Sequence, residues 1–365
     1  MKKLFNKNNK IIFIAIGVIA LVAILAIIIV NINKKSTPVE ENKQKENSIP
    51  KITIVNEAST SRPFAVMINN HPTARLHHAG LQDAYIMYEM IVEGGITRYM
   101  ALFKDQKNTK IGSVRSARHY FLDYAMENDA YYVHWGQSPQ AQSDISSLKI
   151  NNINGIYYEG TYFFRDRSLD VATEHRGFTA LSGQYDLNRA VDKLGYRKET
   201  NKPLLLSYTT DEVDLSKLEN AQKADQIIIR YSNSVEDTYT YDSENKYYLR
   251  YVNGKEHVDD VTKQQYHFKN IITYQVENYT LDDVENKGRQ GIHNIGEGEG
   301  YYITNGYATK IKWSKKSREE QTKYTYLDGT PIKVSDGNTF IQIQPKNQKL
   351  SITTITEEDN NGIIE

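Results

Sequence analysis

The chain has 365 residues, with 45 basic side chains balanced by 45 acidic ones and no cysteine. The charge balance speaks against a dedicated nucleic-acid binder, which carries a basic excess. The missing cysteine excludes disulfides, a thiolate nucleophile, a cysteine metal site and a lipid-modified cysteine anchor.

Residues 1–10 form a basic tip carrying Lys2, Lys3, Lys7 and Lys10, and the next twenty residues, Ile11 to Val30, hold no charged or polar side chain. An apolar run of roughly 20 residues matches what a helix needs to cross a bilayer. The basic tip predicts a cytoplasmic N-terminus. A cleaved signal peptide is the alternative. Its apolar stretch spans roughly 7–15 residues and ends at a small-residue cleavage site, whereas this run ends in Val30-Asn31-Ile32-Asn33-Lys34. The expectation is a single-pass membrane helix at 11–30, with the membrane as partner and the folded domains extracytoplasmic. Residues 31–61 are polar and aperiodic, with Pro38 and Pro50, and read as a disordered stalk.

Residues 62–203 read as a mixed α/β domain. Phe64 to Ile68 is a short apolar run that predicts a buried strand. Ala84 to Val92 and Thr97 to Phe103 flank Gly94-Gly95 and predict a hairpin. Ser116 to Glu127 has helical spacing, with Ser116 as the expected cap. Ala130 to Trp135 predicts a strand, Ser138-Pro139 a helix start, and Leu181 to Leu194 a helix ending at Gly195. Residues 204–355 carry short β-type runs, from Gln226–Tyr231 to Thr339–Ile343. Asn253-Gly254, Asn305-Gly306, Asp328-Gly329 and Asp336-Gly337 punctuate them as tight turns. Gly296, Gly298 and Gly300 lack dinucleotide-loop spacing and read as a turn between strands. Residues 356–365 read as a loose tail. The fold class is therefore α+β: an N-terminal transmembrane helix, a mixed α/β first domain and a mostly-β second domain, a sandwich or a barrel. The 27 tyrosines fit β-sheet surface or sugar-stacking platforms. An AT-rich coding sequence, which also inflates Asn, Lys and Ile, accounts for them as well.

Several motifs occur in order: Arg62-Pro63-Phe64-Ala65-Val66-Met67-Ile68-Asn69-Asn70-His71, Ala79-Gly80-Leu81-Gln82-Asp83-Ala84, Tyr88-Glu89-Met90-Ile91-Val92-Glu93-Gly94-Gly95-Ile96-Thr97-Arg98, Val114-Arg115-Ser116-Ala117-Arg118 and His134-Trp135-Gly136-Gln137-Ser138. With Tyr247-Tyr248-Leu249-Arg250 and the Gly-rich segment at 295–300, the series resembles the DUF3048 family over nearly all of the chain after the stalk. The resemblance implies a Gram-positive cell-envelope protein linked to wall or sporulation processes, and no established reaction. Many relatives carry a lipobox cysteine where this chain has its apolar run. Thr173 to Thr179 departs from the family's Pro-His-Asn-type motif and matches it at His175 and Thr179.

The residues offer few places for chemistry. Arg115 and Arg118 flank Ser116 at an expected loop-to-helix junction, where unpaired N–H groups and guanidinium forks suit an anion. Structural ion pairs with Glu89, Glu93 or Asp83 are the alternative. Glu89 and Glu93, four apart, share a face if both lie on one strand; paired carboxylates can divide acid and base roles, or be neutralised by Arg98. His134 ends a strand near Ser138, but Gly136-Gln137-Ser138-Pro139 is not a nucleophile elbow. His71, His77 and His78 lack metal-ligand spacing and read as loop histidines, so no metal or cofactor is expected. The leading expectation is a binding or scaffolding module for an anionic envelope ligand or a partner protein, with Asn69, Arg75, Arg98, Arg115, Ser116, Arg118 and His134 in its cleft. The alternatives are a cell-wall glycan hydrolase or transferase using Glu89 or Glu93 with His134, and a structural adaptor. The balance leans away from an enzyme.

Overall fold

The computed structural model describes residues 52–282 and 284–355. The expected tip, anchor, most of the stalk and the tail lie outside the described residues. Among the described residues no helix is long and apolar enough to cross a membrane. Residues 52–61, assigned to the stalk, pack on the fold instead. Val55 is buried, and the Thr53 and Ile54 amides donate to the Asp336 carboxylate at 2.9 and 3.0 Å.

In the first half run β1 (Phe64–Asn69), β2 (Ile86–Ile91), β3 (Thr97–Phe103), α1 (His119–Glu127), β4 (Tyr131–His134), α2 (Pro139–Ser147), β5 (Asn152–Asn154) and α3 (Leu187–Leu194). The second half adds β6 (Gln226–Arg230), β7 (Glu236–Asp242), β8 (Tyr247–Val252), β9 (Asn270–Val276), β10 (Gly296–Thr304), β11 (Tyr307–Lys315), β12 (Thr339–Pro345) and β13 (Leu350–Thr353). The expected β2–β3 hairpin forms, with Gly94 and Gly95 both left-handed in its turn at φ 69° and 68°, a region open to glycine at little cost. Two helices start later than their patterns predict. Residues 115–117 stay extended, because Ala117 bridges Gln137 and the Arg115 amide donates to Met67 O; Arg118 then occupies the N-cap position of α1, with no side-chain bond to the first turn. Likewise Leu181 donates to Asn108 O, and α3 begins only after its Asp186 cap.

The two halves share one sheet. Its order is β11, β10, β9, β12, β2, β3, β1, β4, β5, and β12 runs parallel to both β9 and β2. β12 comes from the C-terminal half yet lies mid-sheet, buried at every position. The segments 62–203 and 204–355 are thus joined by strand pairing. A second sheet, ordered β8, β7, β6, β13, stacks on one face, where Phe268 and Tyr239 meet Phe340 at ring distances of 4.7 and 6.2 Å. On the other face α1 packs through Tyr120 and Tyr124. All but one of the bulkiest fully buried side chains are tyrosines; these rings build the core, where they cannot serve as sugar platforms. The Gly-rich run at 296–300 is strand, not turn. A Cβ on Gly298 would stand 2.8 Å from Trp313 Nε1, and one on Gly300 would overlap Thr273 O. The missing side chains make room for the stacked Tyr274–Trp313 pair, 4.8 Å between centroids.

Candidate anion site at the strand carboxyl edge

β1, β2, β4, β5 and β12 point the same way. Their carboxyl ends meet at one edge, where open α/β sheets place ligand sites. Glu93 follows β2 there, Arg98 sits near the start of β3, and 115–118 cross in front. The Arg118 fork grips Glu93, Nε to Oε1 at 2.6 Å and Nη2 to Oε2 at 2.8 Å. Arg98 lies 3.9 Å from the same carboxylate through Nη2 and donates from Nη1 to Ser116 O at 2.6 Å. Among the described residues the Arg115 side chain makes one hydrogen bond, from Nη1 to Glu174 O at 3.4 Å, and no ion pair. Burial pushes Glu93 up, but Arg118 and then Arg98 outweigh it and hold its carboxyl below the usual glutamate range. Burial, then the neighbouring Arg118, push Arg98 down to about 9.

The edge continues past Ser116, whose hydroxyl donates to Trp135 O at 3.1 Å. The Trp135 ring is closed off as a platform: Arg165 covers it at 4.2 Å, and Cβ atoms on Gly155 or Gly177 would stand 2.6 and 2.7 Å from it. Asn69 is buried and braces the 173–175 segment, its Nδ2 standing 2.9 Å from His175 Nδ1. His71 stacks on His175 at 4.5 Å. The edge thus gathers Arg98, Arg115, Ser116, Arg118 and Glu93, with Asn69 behind Arg115.

Three expected site residues lie elsewhere. Arg75 donates to Asn70 Oδ1 at 2.8 Å and lines a separate cavity of about 610 Å³ with Leu76, Lys255 and Asp259. His134 is buried; Nδ1 meets Gly136 O at 2.8 Å and Nε2 meets the Asn152 side chain at 3.1 Å. Burial holds its ring below the usual histidine range, so it fixes the β4 turn rather than facing a cleft. Glu89 does not share a face with Glu93, because β2 ends at Ile91 and Glu93 belongs to the turn.

Glu89 instead points into the space between the sheets and has no solvent exposure. Arg250 on β8 reaches it at 2.9 Å and Asp237 on β7 at 2.7 Å. Arg250 also donates to Tyr239 Oη at 3.1 Å and meets His257 Nδ1 at 2.8 Å. Thr97 Oγ1 donates to Glu89 Oε1 at 2.6 Å. Burial, and then the adjacent Asp237, raise the Glu89 carboxyl well above the glutamate range. This is a sealed strut between the two halves, and it removes Glu89 as a solvent-reachable acid or base. His78, expected in an exposed loop, is buried beside it, 2.8 Å from His257, and burial pushes its ring down to about 3. Arg250 was missed as a partner, yet a sequence signal existed: Tyr248, Arg250 and Val252 alternate inward on β8, so an arginine on the core face demands a buried acid. Among the described residues no group of His, Asp and Glu is placed to hold a metal.

Comparison with known proteins matches this continuous fold segment by segment. A family model described as "Protein of unknown function (DUF3048) N-terminal domain" matches residues 52–197, and its C-terminal counterpart matches 227–341. The chain is 29% identical over 330 residues to a Bacillus subtilis (strain 168) protein named "Putative lipoprotein YerB", across 89% of this chain and 94% of that protein. The crystal structure of the YerB protein from Bacillus subtilis superposes with a TM-score of 0.67 at 28% identity, covering 80% of this chain and 94% of that one. Both family models fall in sequence order on the two halves that β12 stitches together, and the chain belongs to the DUF3048 family.

Proposed function

We propose that this protein is a membrane-anchored, extracytoplasmic binding module of the cell envelope, and that its carboxyl-edge arginines receive an anionic ligand. The envelope location rests on the apolar run at 11–30 and on the lipoprotein name of its Bacillus relative. One observation carries the binding role: Arg98 and Arg118 share the single carboxylate of Glu93, and Arg115 beside them, bonded to Glu174 O, has no acidic partner within ion-pair range among the described residues. Guanidinium forks left open in this way suit carboxylate or phosphate. The hydrolase reading loses its footing, since Glu89 is sealed and His134 is tied to Gly136 and Asn152.

A thermal-shift screen of anionic wall fragments tests the role. A ligand present at 100 times its Kd adds about 2.7 kcal/mol of apparent stability. Arg115→Gln is expected to abolish that shift while leaving the unliganded melting temperature in place. Shifts that persist undiminished in Arg115→Gln, or no shift with any anionic fragment, would remove the proposal.

A further inference from the structure

The occupant of this edge can be narrowed by counting charges and donors, on the basis that the arginine cluster is a binding site. Arg98 is 5% exposed. Its contacts are the bond to Ser116 O and the 3.9 Å approach to Glu93. A guanidinium has five N–H donors, and only the Nη1 bond to Ser116 O uses one, so among the described residues Arg98 holds further donors with no protein acceptor, and none of its nitrogens is sealed in the interior without a partner. Arg115 likewise spends one donor on a long bond. Three guanidiniums against the Glu93 carboxylate leave a formal surplus of +2 (three minus one). Glu174, exposed at the rim beside Arg115, tempers it; Arg165 is taken up by Glu159 at 3.1 Å.

A carboxylate ligand would bring one charge, in a role that Glu93 already fills. A phosphate monoester brings about −1.5 to −2 charges at neutral pH and three strong acceptor oxygens. We infer that the site takes a phosphoryl group, bound by the open donors of Arg98 and Arg115, and that Glu93 is a resident counter-charge that yields Arg118 to it. Among the described residues the only side chains that hold the Glu93 carboxylate are these arginines, with its own backbone N–H beside them, and it rides on the left-handed Gly94-Gly95 turn. The phosphoryl group can belong to a soluble ester or to a lipid headgroup.

Calorimetric titration of the full-length chain in a neutral detergent separates these cases. The probes are inorganic phosphate, glycerol 3-phosphate, dihexanoyl phosphatidic acid below its micellar concentration, and acetate. The expected result is that the phosphate probes bind and acetate does not. Glu93→Gln tightens phosphate at least tenfold, and Arg115→Gln weakens it at least tenfold with an unchanged melting temperature. Tighter binding of the phosphatidic acid than of glycerol 3-phosphate assigns a lipid source; equal binding assigns a soluble ester. Arg115-dependent acetate binding without phosphate binding, or no gain in a folded Glu93→Gln, overturns this inference and leaves the anion-binding reading standing. Absence of any Arg115-dependent binding overturns both. Should Glu93→Gln fail to fold, the preference for phosphate over acetate and its dependence on Arg115 decide the matter.

Discussion

Replacing Arg250 by Met tests whether the buried strut holds the two sheets together. Arg250, Glu89 and Asp237 have no solvent exposure, and the guanidinium reaches both acids within 2.9 Å while contacting Tyr239 and His257. Methionine matches much of the volume but leaves two carboxyl groups without a cation. Removing one partner from a buried ion pair costs about 3–5 kcal/mol, because the remaining charge is uncompensated. At about 2 °C per kcal/mol for a domain of this size, the melting temperature falls by about 6–10 °C. Glu89→Gln is the contrast. With its carboxyl raised well above the usual range by burial and by Asp237, a protonated Glu89 can donate to Asp237 and leave one guanidinium facing one carboxylate. The neutral amide imitates that state, and its cost is expected below about 1 kcal/mol. The raised group also sets a pH dependence. The folded state keeps the proton above the ordinary glutamate value of 4.5, so this contribution is complete below that value and is lost as pH rises through the folded pKa. Glu89→Gln removes that slope. Urea denaturation followed by circular dichroism across pH measures both effects. Wild-type stability in Arg250→Met, or an equal loss in Glu89→Gln, would refute the assignment of a single cation serving a shared proton.

Further outcomes follow from local geometry. Gly300→Ala places a Cβ against Thr273 O and 2.9 Å from Tyr274 Cβ, and overpacking of this kind costs about 1–3 kcal/mol; a melting temperature equal to wild type would contradict it. The His78 ring is held neutral by burial down to about 3, so the unfolded chain binds the extra proton and stability is lost as pH falls from about 6.5 toward 3; the difference in stability between wild type and His78→Gln should shrink over that range. Asp336→Ala removes the acceptor of the Thr53 and Ile54 amides and should speed proteolysis within residues 52–60 while cleavage elsewhere stays unchanged.

Local patterns alone carried much of the architecture. Apolar runs and the Gly94-Gly95 turn set the β2–β3 hairpin, Ser138-Pro139 opened α2, and Asn-Gly and Asp-Gly pairs spaced the β-rich second half, because turn dihedrals and side-chain alternation are properties of a few adjacent residues. The ordered motifs were enough to place the chain in its family. The arginines that converge at the strand edge were legible as residue types, since Arg98, Arg115 and Arg118 sit in or beside glycine-punctuated junctions. Tertiary structure alone decided their partners. Glu89 and Glu93 look equivalent in the sequence, yet one faces the second sheet and the other the solvent edge, because β2 ends between them. The insertion of β12 between β2 and β9 likewise has no local signature: parallel pairing across some 250 positions depends on which faces are buried together, and that is set by the whole core rather than by any segment of it.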